Sequence, residues 1–438
     1  MTRTFTLTEL LLILGVTVAV LMTAILNNFS LVLAIMPGLF LLVGISVRKG
    51  FSFSELSRSA FFGIKRNKDV AWLLTFIGIL LPTWHFAGTI NDLNALFLTV
   101  INPAYFFVIA FLITAVMSLI VGSAIGSLSI AGVPVMAAGD YLGLPMVIVG
   151  GALVSGAFVG DRSSPLSSSF FLLSYALEVT VRQHFRAILP TLMWTVFLTA
   201  GLFLSLDLYI DKGDALNNGT ARNFSELNIG QLAVSFIPAL VLLIMILTGK
   251  NMKISFTSSI AAAFAILFFR DVPLGAWGEG VLAGAGQVNG IIDMLPFILF
   301  ILLVGVYSQI IEDTQLIQPY IEKVFTNKSS LAVNTSQSIG IAAAVSLISP
   351  NQSFPIILTG RSLLPHWAEY FSKRQLSRIL ADSTVVFAGL VPWSLLAILC
   401  STIIGVPVLE YAPFAFFLLL SPAVTMVYSV LSARKAYQ

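Results

Sequence analysis

Two apolar runs of this chain are separated by the decapeptide Gly160-Asp161-Arg162-Ser163-Ser164-Pro165-Leu166-Ser167-Ser168-Ser169. The flanking runs are long enough to lie in a bilayer. The segment between them holds a carboxylate, a guanidinium, a proline and five serines. Charged groups at membrane depth are costly and survive mainly where they line a cavity or pathway. Because interrupted helices build the substrate and ion sites of secondary transporters, the segment predicts a transporter.

The composition indicates that lipid is the main solvent of the chain. Of its 438 residues, 58% are hydrophobic and 10% are charged, and its mean hydropathy is +0.97. Soluble domains carry about 25% charged residues. Apolar windows of spanning length recur from end to end and predict ten to thirteen spans. The net charge of +3 comes without a basic stripe interleaved with aromatics, so no nucleic-acid partner is expected.

Charge asymmetry orients the spans. Basic residues dominate the segment 48–69, which is therefore expected to be cytoplasmic together with the N-terminus. The acidic loop 207–230 suits the outside, and Arg434 with Lys435 places the C-terminus inside. The chain is thus expected to be a multi-pass protein of the cytoplasmic membrane.

The two halves of the sequence share a layout of paired breaks. The first half has the small-residue run at 122–129 and then the break at 161–165. The second half has Ser349–Pro355 and then Asp382-Ser383-Thr384, followed by Pro392. Corresponding breaks lie about 220–230 residues apart. Paired interruptions in matching positions indicate a transporter binding site. The alternative is that glycine and serine only let helices pack closely.

Asp161 and Asp382 are the central candidate residues. A partly dehydrated carboxylate can exchange a proton for a cation near neutral pH, and hydroxyl and carbonyl oxygens complete the shell of a hard cation. Transported Na+ is expected at these two carboxylates, with no resident metal and no cofactor. The alternative is a structural ion pair with Arg162 or Arg361. The neighbouring polar side chains expected to line the site are Ser123, Ser127, Ser164, Ser167, Asn351, Gln352, Ser383 and Thr384.

Arg162 has two interpretations that the sequence leaves open. It could end a helix at the cytoplasmic boundary and extend its charge to water. It could instead bind a substrate carboxylate in bidentate fashion. Enzyme signals are absent, since the sequence has no His-Glu-x-x-His, Gly-x-Ser-x-Gly or phosphate-binding glycine run. The protein is therefore not expected to be an enzyme.

The motifs resemble a known family in their order. Gly160–Ser167 is similar to the Gly-Asp-Lys-x-Ser-Pro-Leu-Ser-Asp signature of the NhaC-type sodium/proton antiporters, in the ion transporter superfamily. Gly122–Ser127 resembles the Gly-Thr-Ser-x-Gly-Thr run of that family, and Leu376–Ser383 with Pro392-Trp393 resembles its C-terminal pattern. The similarity covers roughly residues 70–432.

The resemblance implies an all-helical polytopic membrane protein. Two inverted repeats would bring broken or re-entrant helices together near the bilayer midplane. The expected divisions are an N-terminal two-helix extension and cytoplasmic loop (1–69), a first repeat (70–206), linking loop and helices (207–284) and a second repeat (285–438). Asp161, Asn351 and Asp382 would approach one polar cavity.

The chain also departs from the family pattern at acidic positions. Ser168, Asn351 and Ala381 stand where the family has aspartate or glutamate. The loss of negative charge lowers the attraction for a bare cation. A Na+/H+ antiporter is the leading expectation, and a sodium- or proton-coupled transporter of amino acids or organic acids is the alternative. The partners would be a small cation, such a solute and lipid, and a homodimer is left open.

Overall fold

The computed structural model describes residues 4–27, 29–210, 229–286, 288–324, 330–349 and 351–436. Within these ranges the protein is helical and forms no β-strand, with one isolated bridge between Ala285 and Val288. The expected all-helical class is therefore confirmed. Most of the predicted outside loop 207–230, and Pro350 at one break, lie outside the described residues.

The first half of the chain forms helices α1 (Leu7–Leu26), α2 (Leu31–Arg48), α3 (Phe53–Phe86), α4 (Thr89–Val100), α5 (Pro103–Val121), α6 (Ala124–Ser127), α7 (Val133–Tyr141), α8 (Met146–Ser163), α9 (Ser168–Ala176) and α10 (Val181–Tyr209). A π-helical turn, Leu128–Gly132, joins α6 to α7.

The second half forms helices α11 (Ile229–Leu247), α12 (Met252–Phe269), α13 (Leu274–Ala283), α14 (Ile291–Asp313), α15 (Gln318–Val324), α16 (Leu331–Ile348), α17 (Ser353–Tyr370), α18 (Lys373–Leu380), α19 (Leu395–Ile404), α20 (Val408–Tyr411) and α21 (Phe416–Ala436). A second π-helical turn, Ala381–Val385, follows α18.

Nine of the described helices are long and apolar enough to cross a membrane. The count is ten if the pair α19 and Val408–Phe414, bent by 86°, is one span. The sequence-based count of ten to thirteen is therefore met only at its lower end. Two further apolar helices, at Leu232–Leu247 and Phe416–Ser432, are shorter than the other spans.

Capping residues set several helix starts. Thr6 with Glu9, Ser52 with Glu55, and Thr180 with Gln183 form reciprocal capping boxes that satisfy the first backbone N–H groups. Because Ser52 starts α3, the segment expected as a cytoplasmic loop over 48–69 is helical from Phe53 onward. This continuous helix also crosses the predicted boundary at residue 69.

Helix α8 lies at the centre of the molecule, since 89% of its spanning window is buried. It packs in parallel on α5 through glycines. A Cβ atom at Gly156 would lie 2.4 Å from the carbonyl oxygen of Phe111, and one at Gly160 would lie 2.0 Å from that of Ser118. Only glycine permits these approaches, which is the small-residue mode of helix packing in membranes.

Each of the four predicted breaks coincides with a helix end or an irregular turn. Helix α5 ends at Gly122 in the left-handed conformation (φ 71°), and α8 ends at Ser163. Helix α16 ends at Ile348. The π-turn at Asp382 follows α18, and the next long helix, α19, begins only at Leu395. The four breaks supply the residues of the candidate site. Their relation by inverted repeats remains a prediction.

Candidate functional site

Asp161 lies on the last turn of α8 and is only 6% exposed. The Nε2 atom of Gln352 donates to its Oδ2 atom at 2.9 Å, and the Ser169 hydroxyl donates to the same oxygen at 3.3 Å. The backbone N–H of Ala124, at the start of α6, also interacts with this carboxylate. No lysine, arginine or histidine of the described chain forms an ion pair with it. Asp161 is thus a buried carboxylate held by neutral donors.

Gln352 connects the two halves of the chain at this point. Besides donating to Asp161, its Nε2 atom donates to the carbonyl oxygen of Val385, at the end of the second π-turn, at 3.1 Å. Its Oε1 atom accepts from Ser169 at 2.8 Å. Carboxylate, amide, hydroxyl and carbonyl oxygens therefore converge from α8, α9, α17 and the π-turn. Such oxygens are the ligands that hard cations prefer.

Asp382 has a different environment from Asp161. Its carboxylate forms an ion pair with the guanidinium of Arg162, and both side chains are fully buried. The Nη2 atom of Arg162 also donates to Thr191 of α10 at 3.0 Å, and its guanidinium carbon lies 5.8 Å from the Phe417 ring centroid. Arg162 is therefore enclosed in protein and does not extend to water at a helix end.

A second arginine lies beside this ion pair. Arg378, 5% exposed, donates to Thr425 at 3.2 Å and to Ser429 at 2.8 Å, and its charge reaches Asp382. Asp161, Arg162, Arg378 and Asp382 together carry a net charge of zero when all are ionised. Arg361, the other arginine considered from the sequence, is exposed at a surface cavity of α17.

The hydroxyl groups of the predicted serines do not donate to the carboxylate of Asp161. Two of them donate to backbone carbonyls at the break instead. Ser164 donates to the carbonyl of Leu119 at 2.8 Å, and Ser167 donates to the backbone carbonyl of Asp161 at 2.5 Å. The remaining predicted hydroxyl groups act within their own segments or on α17. Ser123 caps α6, Ser127 and Ser383 donate to carbonyls of the preceding turn, and Thr384 lies 3.5 Å from Thr359.

Asn351 faces a residue that sequence reasoning missed. Its Nδ2 atom donates to Oδ1 of Asn67 at 3.4 Å, and its Oδ1 atom accepts from the backbone N–H of Ser353. Asn67 lies on α3 and is buried against Gly305 of α14, where a Cβ atom would lie 2.0 Å from its Nδ2. Helix α3 therefore reaches the break that contains Asn351, although the first part of α3 was expected to be a loop.

Three further polar residues at the site were not selected from the sequence. Ser169 contacts both Asp161 and Gln352, Thr191 contacts Arg162, and Arg378 contributes charge beside Asp382. Ser169 was within reach of sequence reasoning, because it follows two selected serines in the same motif. Thr191 gave no signal, since a threonine in an apolar helix is ordinary.

Metal-binding clusters do not occur in the described ranges, since no group of three histidine, cysteine, aspartate or glutamate residues is arranged to hold an ion. One cavity among the described residues has a volume of about 600 Å³. It lies between the ends of α3 and α19, and its other walls include α4, α7 and the residues Gly286, Val288 and Asn289. His85 lines it.

Comparison with known proteins gives a consistent set of similarities. A family model described as the Na+/H+ antiporter family matches residues 187–433. The chain is 27% identical to the Na+/H+ antiporter NhaC of Alkalihalophilus pseudofirmus, over 96% of this chain and 95% of the relative. It is 25% identical to the malate-2H+/Na+-lactate antiporter of Bacillus subtilis, over 97% and 94%. It is also 25% identical to the arginine/ornithine antiporter ArcD of Halobacterium salinarum, over 86% and 82%.

Proposed function

Because this chain belongs to the Na+/H+ antiporter family, we propose that it is a cation-coupled antiporter in which Asp161 binds Na+ and H+ in alternation. The observation that carries the proposal is the state of Asp161, a buried carboxylate with neutral hydrogen-bond donors and no cationic partner in the described chain. An unpaired charge in such a place is costly unless a proton or a metal cation neutralises it. Na+ and H+ bind in alternation because a single carboxylate holds only one of these two ions at a time.

The surroundings of Asp161 supply further oxygen ligands. Rotation of the Gln352 amide by half a turn would replace its Nε2 donor with Oε1. The carboxylate, this amide oxygen and the carbonyl of Val385 would then face one point, and Ser169 would add a hydroxyl. This oxygen set suits a hard cation such as Na+.

The pair formed by Arg162 and Asp382 supports a division of labour between the two aspartates. Asp382 neutralises Arg162, so Arg162 does not repel a cation bound at the adjacent Asp161. In this proposal Asp382 positions the site, and Asp161 binds the transported ion. The anion-anchor role of Arg162 would require its ion pair to open.

The decisive experiment measures Na+ uptake driven by a pH gradient into proteoliposomes. Asp161→Asn keeps the shape and the hydrogen bonds but removes the exchangeable charge, so we expect flux to fall to the level of empty liposomes. Asp313→Asn is the matched control, since Asp313 is exposed at the end of α14. Wild-type flux in Asp161→Asn would overturn the proposal.

A second candidate is exchange of an amino acid or organic acid coupled to the cation. It is favoured by the large cavity near α19 and by the neutral residues Ser168, Asn351 and Ala381 at acidic positions of the family pattern. The relatives named for malate and lactate, and for arginine and ornithine, give the solute classes to screen. Thermal stabilisation by such a solute in addition to Na+ would support this reading, and stabilisation by Na+ alone would exclude it.

The topology proposed here has both termini in the cytoplasm, in a cytoplasmic membrane, with two inverted repeats over 70–206 and 285–438. The basic segment 48–69 and Arg434 with Lys435 support this orientation. Single cysteines introduced at Lys65 and Lys435, labelled with an impermeant thiol reagent, should react in inside-out vesicles and stay unlabelled in whole cells. Light scattering of the purified protein tests the homodimer.

A further inference from the structure

His184 is a fully buried histidine that the proposed transport cycle does not use. It lies in the first turns of α10, four residues after the capping Thr180. Its Nδ1 atom shares a hydrogen bond with the hydroxyl of Ser377 on α18. Its Nε2 atom has no hydrogen-bond partner among the described residues. The bond to Ser377 therefore fixes the orientation of a buried imidazole between two helices.

The imidazole also packs against the helix that follows the first half's second break. Its ring centroid lies 4.3 Å from that of Phe170, which is buried in α9. Phe170 directly follows Ser169 in this helix. The Ser169 hydroxyl hydrogen-bonds with Asp161 and Gln352. A shift of the His184 ring would therefore move the start of α9 and, with it, the hydroxyl of Ser169.

The hydrogen-bond partner of the imidazole belongs to the other half of the candidate site. Ser377 lies on α18, which continues directly into the π-turn that contains Asp382. Asp382 forms the buried ion pair with Arg162. The hydrogen bond from His184 therefore holds the segment that carries Asp382.

Helix α10 provides a third connection to the site. His184 and Thr191 are seven residues apart, which is close to two full turns, so both side chains lie on one face of α10. Thr191 accepts a hydrogen bond from Arg162 at 3.0 Å. The same face of α10 therefore contacts the guanidinium through Thr191 and contacts α9 and α18 through His184.

We propose that His184 is a positioning residue for the cation site at Asp161, acting through its hydrogen bond to Ser377 and its ring contact with Phe170. It does not touch the transported ion. By joining α9 to α18 it keeps the Ser169 hydroxyl at the carboxylate, because the geometry of a site depends on the residues packed behind its ligands. The effect on ion affinity rests on the proposed function, whereas the effect on the packing of α9 does not.

Na+ uptake driven by a pH gradient, measured over a range of Na+ concentrations, tests the role in ion binding. His184→Leu should raise the Na+ concentration for half-maximal flux about tenfold, the lower end of the effect that residues orienting metal ligands usually have. Maximal flux should stay within about twofold of the wild type, because the groups that hold the ion are unchanged. His366→Leu is the matched control, a histidine of α17 that hydrogen-bonds with Asn334 at 2.7 Å, and it should keep the wild-type values. An unchanged half-maximal concentration in His184→Leu would overturn the proposal.

Further substitutions test the hydrogen bond itself. His184→Asn places an amide near the position of Nδ1, and His184→Gln places it near that of Nε2, which has no described partner. The half-maximal concentration of His184→Asn should therefore lie closer to the wild type than to His184→Leu, and that of His184→Gln should not. Ser377→Ala should also raise this concentration, and adding it to His184→Leu should cause no further rise. Equal effects of the three His184 substitutions, or multiplied effects in the double variant, would contradict a role through this bond.

A labelling experiment needs no transport and so separates this inference from the proposed function. Cys400 is the single native cysteine, so in a Cys400→Ala background Ser169→Cys reports on α9 and the buried Ser155→Cys reports on α8. His184→Leu should speed the reaction of a small thiol reagent at the first reporter at least about threefold and leave the second unchanged, because only α9 loosens. Ser377→Ala, which removes only a hydroxyl, should act in the same way and guards against a His184 variant that fails to fold. Faster labelling of both reporters, or of neither, would overturn the proposal, whereas absent Na+ flux in the wild type would overturn only the proposed function.

Discussion

Gln352 donates a hydrogen bond of 2.9 Å to Asp161 across 191 residues of sequence. The bond joins the end of α8 to the start of α17, so two helix breaks from different halves of the chain meet through one pair of side chains. Broken helices leave unpaired backbone groups that cost several kcal/mol each in hydrocarbon. When the breaks meet, some of these groups find hydrogen-bond partners, and a polar candidate site forms among the spanning helices.

Replacing Gln352 tests whether the amide contributes to cation binding. Gln352→Met keeps the length of the side chain but removes the donor to Asp161 and the oxygen that would face the cation. We expect the Na+ concentration for half-maximal flux to rise at least about tenfold, because one hydrogen bond to a charged group is worth roughly 1.5–3 kcal/mol. Gln309→Met, at a half-buried position of α14, should keep the wild-type value. An unchanged half-maximal concentration in Gln352→Met would remove the amide from the site.

The buried pair of Arg162 and Asp382 should behave as a unit. Arg162→Leu or Asp382→Leu alone leaves a buried charge without its partner, so each should lower the free energy of unfolding by about 3–5 kcal/mol. The double variant should recover a large part of that loss. Thermal unfolding in detergent checks these values, with the exposed pair of Lys253 and Asp69 as control. Asp69→Asn should lower the free energy of unfolding by less than about 1 kcal/mol. If the double variant lost the sum of the two single-variant unfolding free energies, the two residues would not stabilise each other.

Gly160 should be intolerant of any side chain. A Cβ atom there would overlap the backbone of Ser118, 2.0 Å away, so Gly160→Ala forces α5 and α8 apart. We expect a loss of at least about 3 kcal/mol, at the upper end of overpacking costs, with loss of flux because Asp161 follows directly. Gly201→Ala is the matched control, since no atom lies within 4 Å of the added carbon. Equal unfolding temperatures for the two variants would show that the contact of α5 and α8 is not tight.

A surface ion pair predicts a weak pH dependence of stability. The hydrogen bond from Lys373, at 2.6 Å, holds the pKa of Glu178 below its usual range. Because the folded state binds this proton less readily than the unfolded state, the pair stabilises above the ordinary glutamate pKa and is lost as pH falls through the lowered value. The small difference in unfolding temperature between wild type and Glu178→Gln should therefore narrow between pH 7 and pH 3.5, and also in 1 M salt. A difference that widens on acidification would reverse the sign of this contribution.

The sequence by itself determined the local elements of this protein. Apolar windows predicted ten to thirteen spans, and the described residues form nine or ten. Glycine, proline and serine placed the four breaks, because a helix ends where backbone hydrogen bonds are interrupted or left-handed conformations are required. The order of motifs determined the family. Asp161 and Gln352 were both identifiable as candidate site residues, since each is a polar side chain at a break between apolar helices.

The tertiary structure alone decided which polar groups meet. Asp161 and Arg162 are adjacent in sequence, yet successive residues of an α-helix point about 100° apart. Asp161 therefore faces Gln352, and Arg162 faces Asp382 on another side of the same turn. Asn67 meets Asn351 only because Gly63 and Gly305 let α3 and α14 approach closely. Such pairings depend on the rotation and depth of packed helices, which arise from contacts between distant segments and leave no periodic signal in the chain.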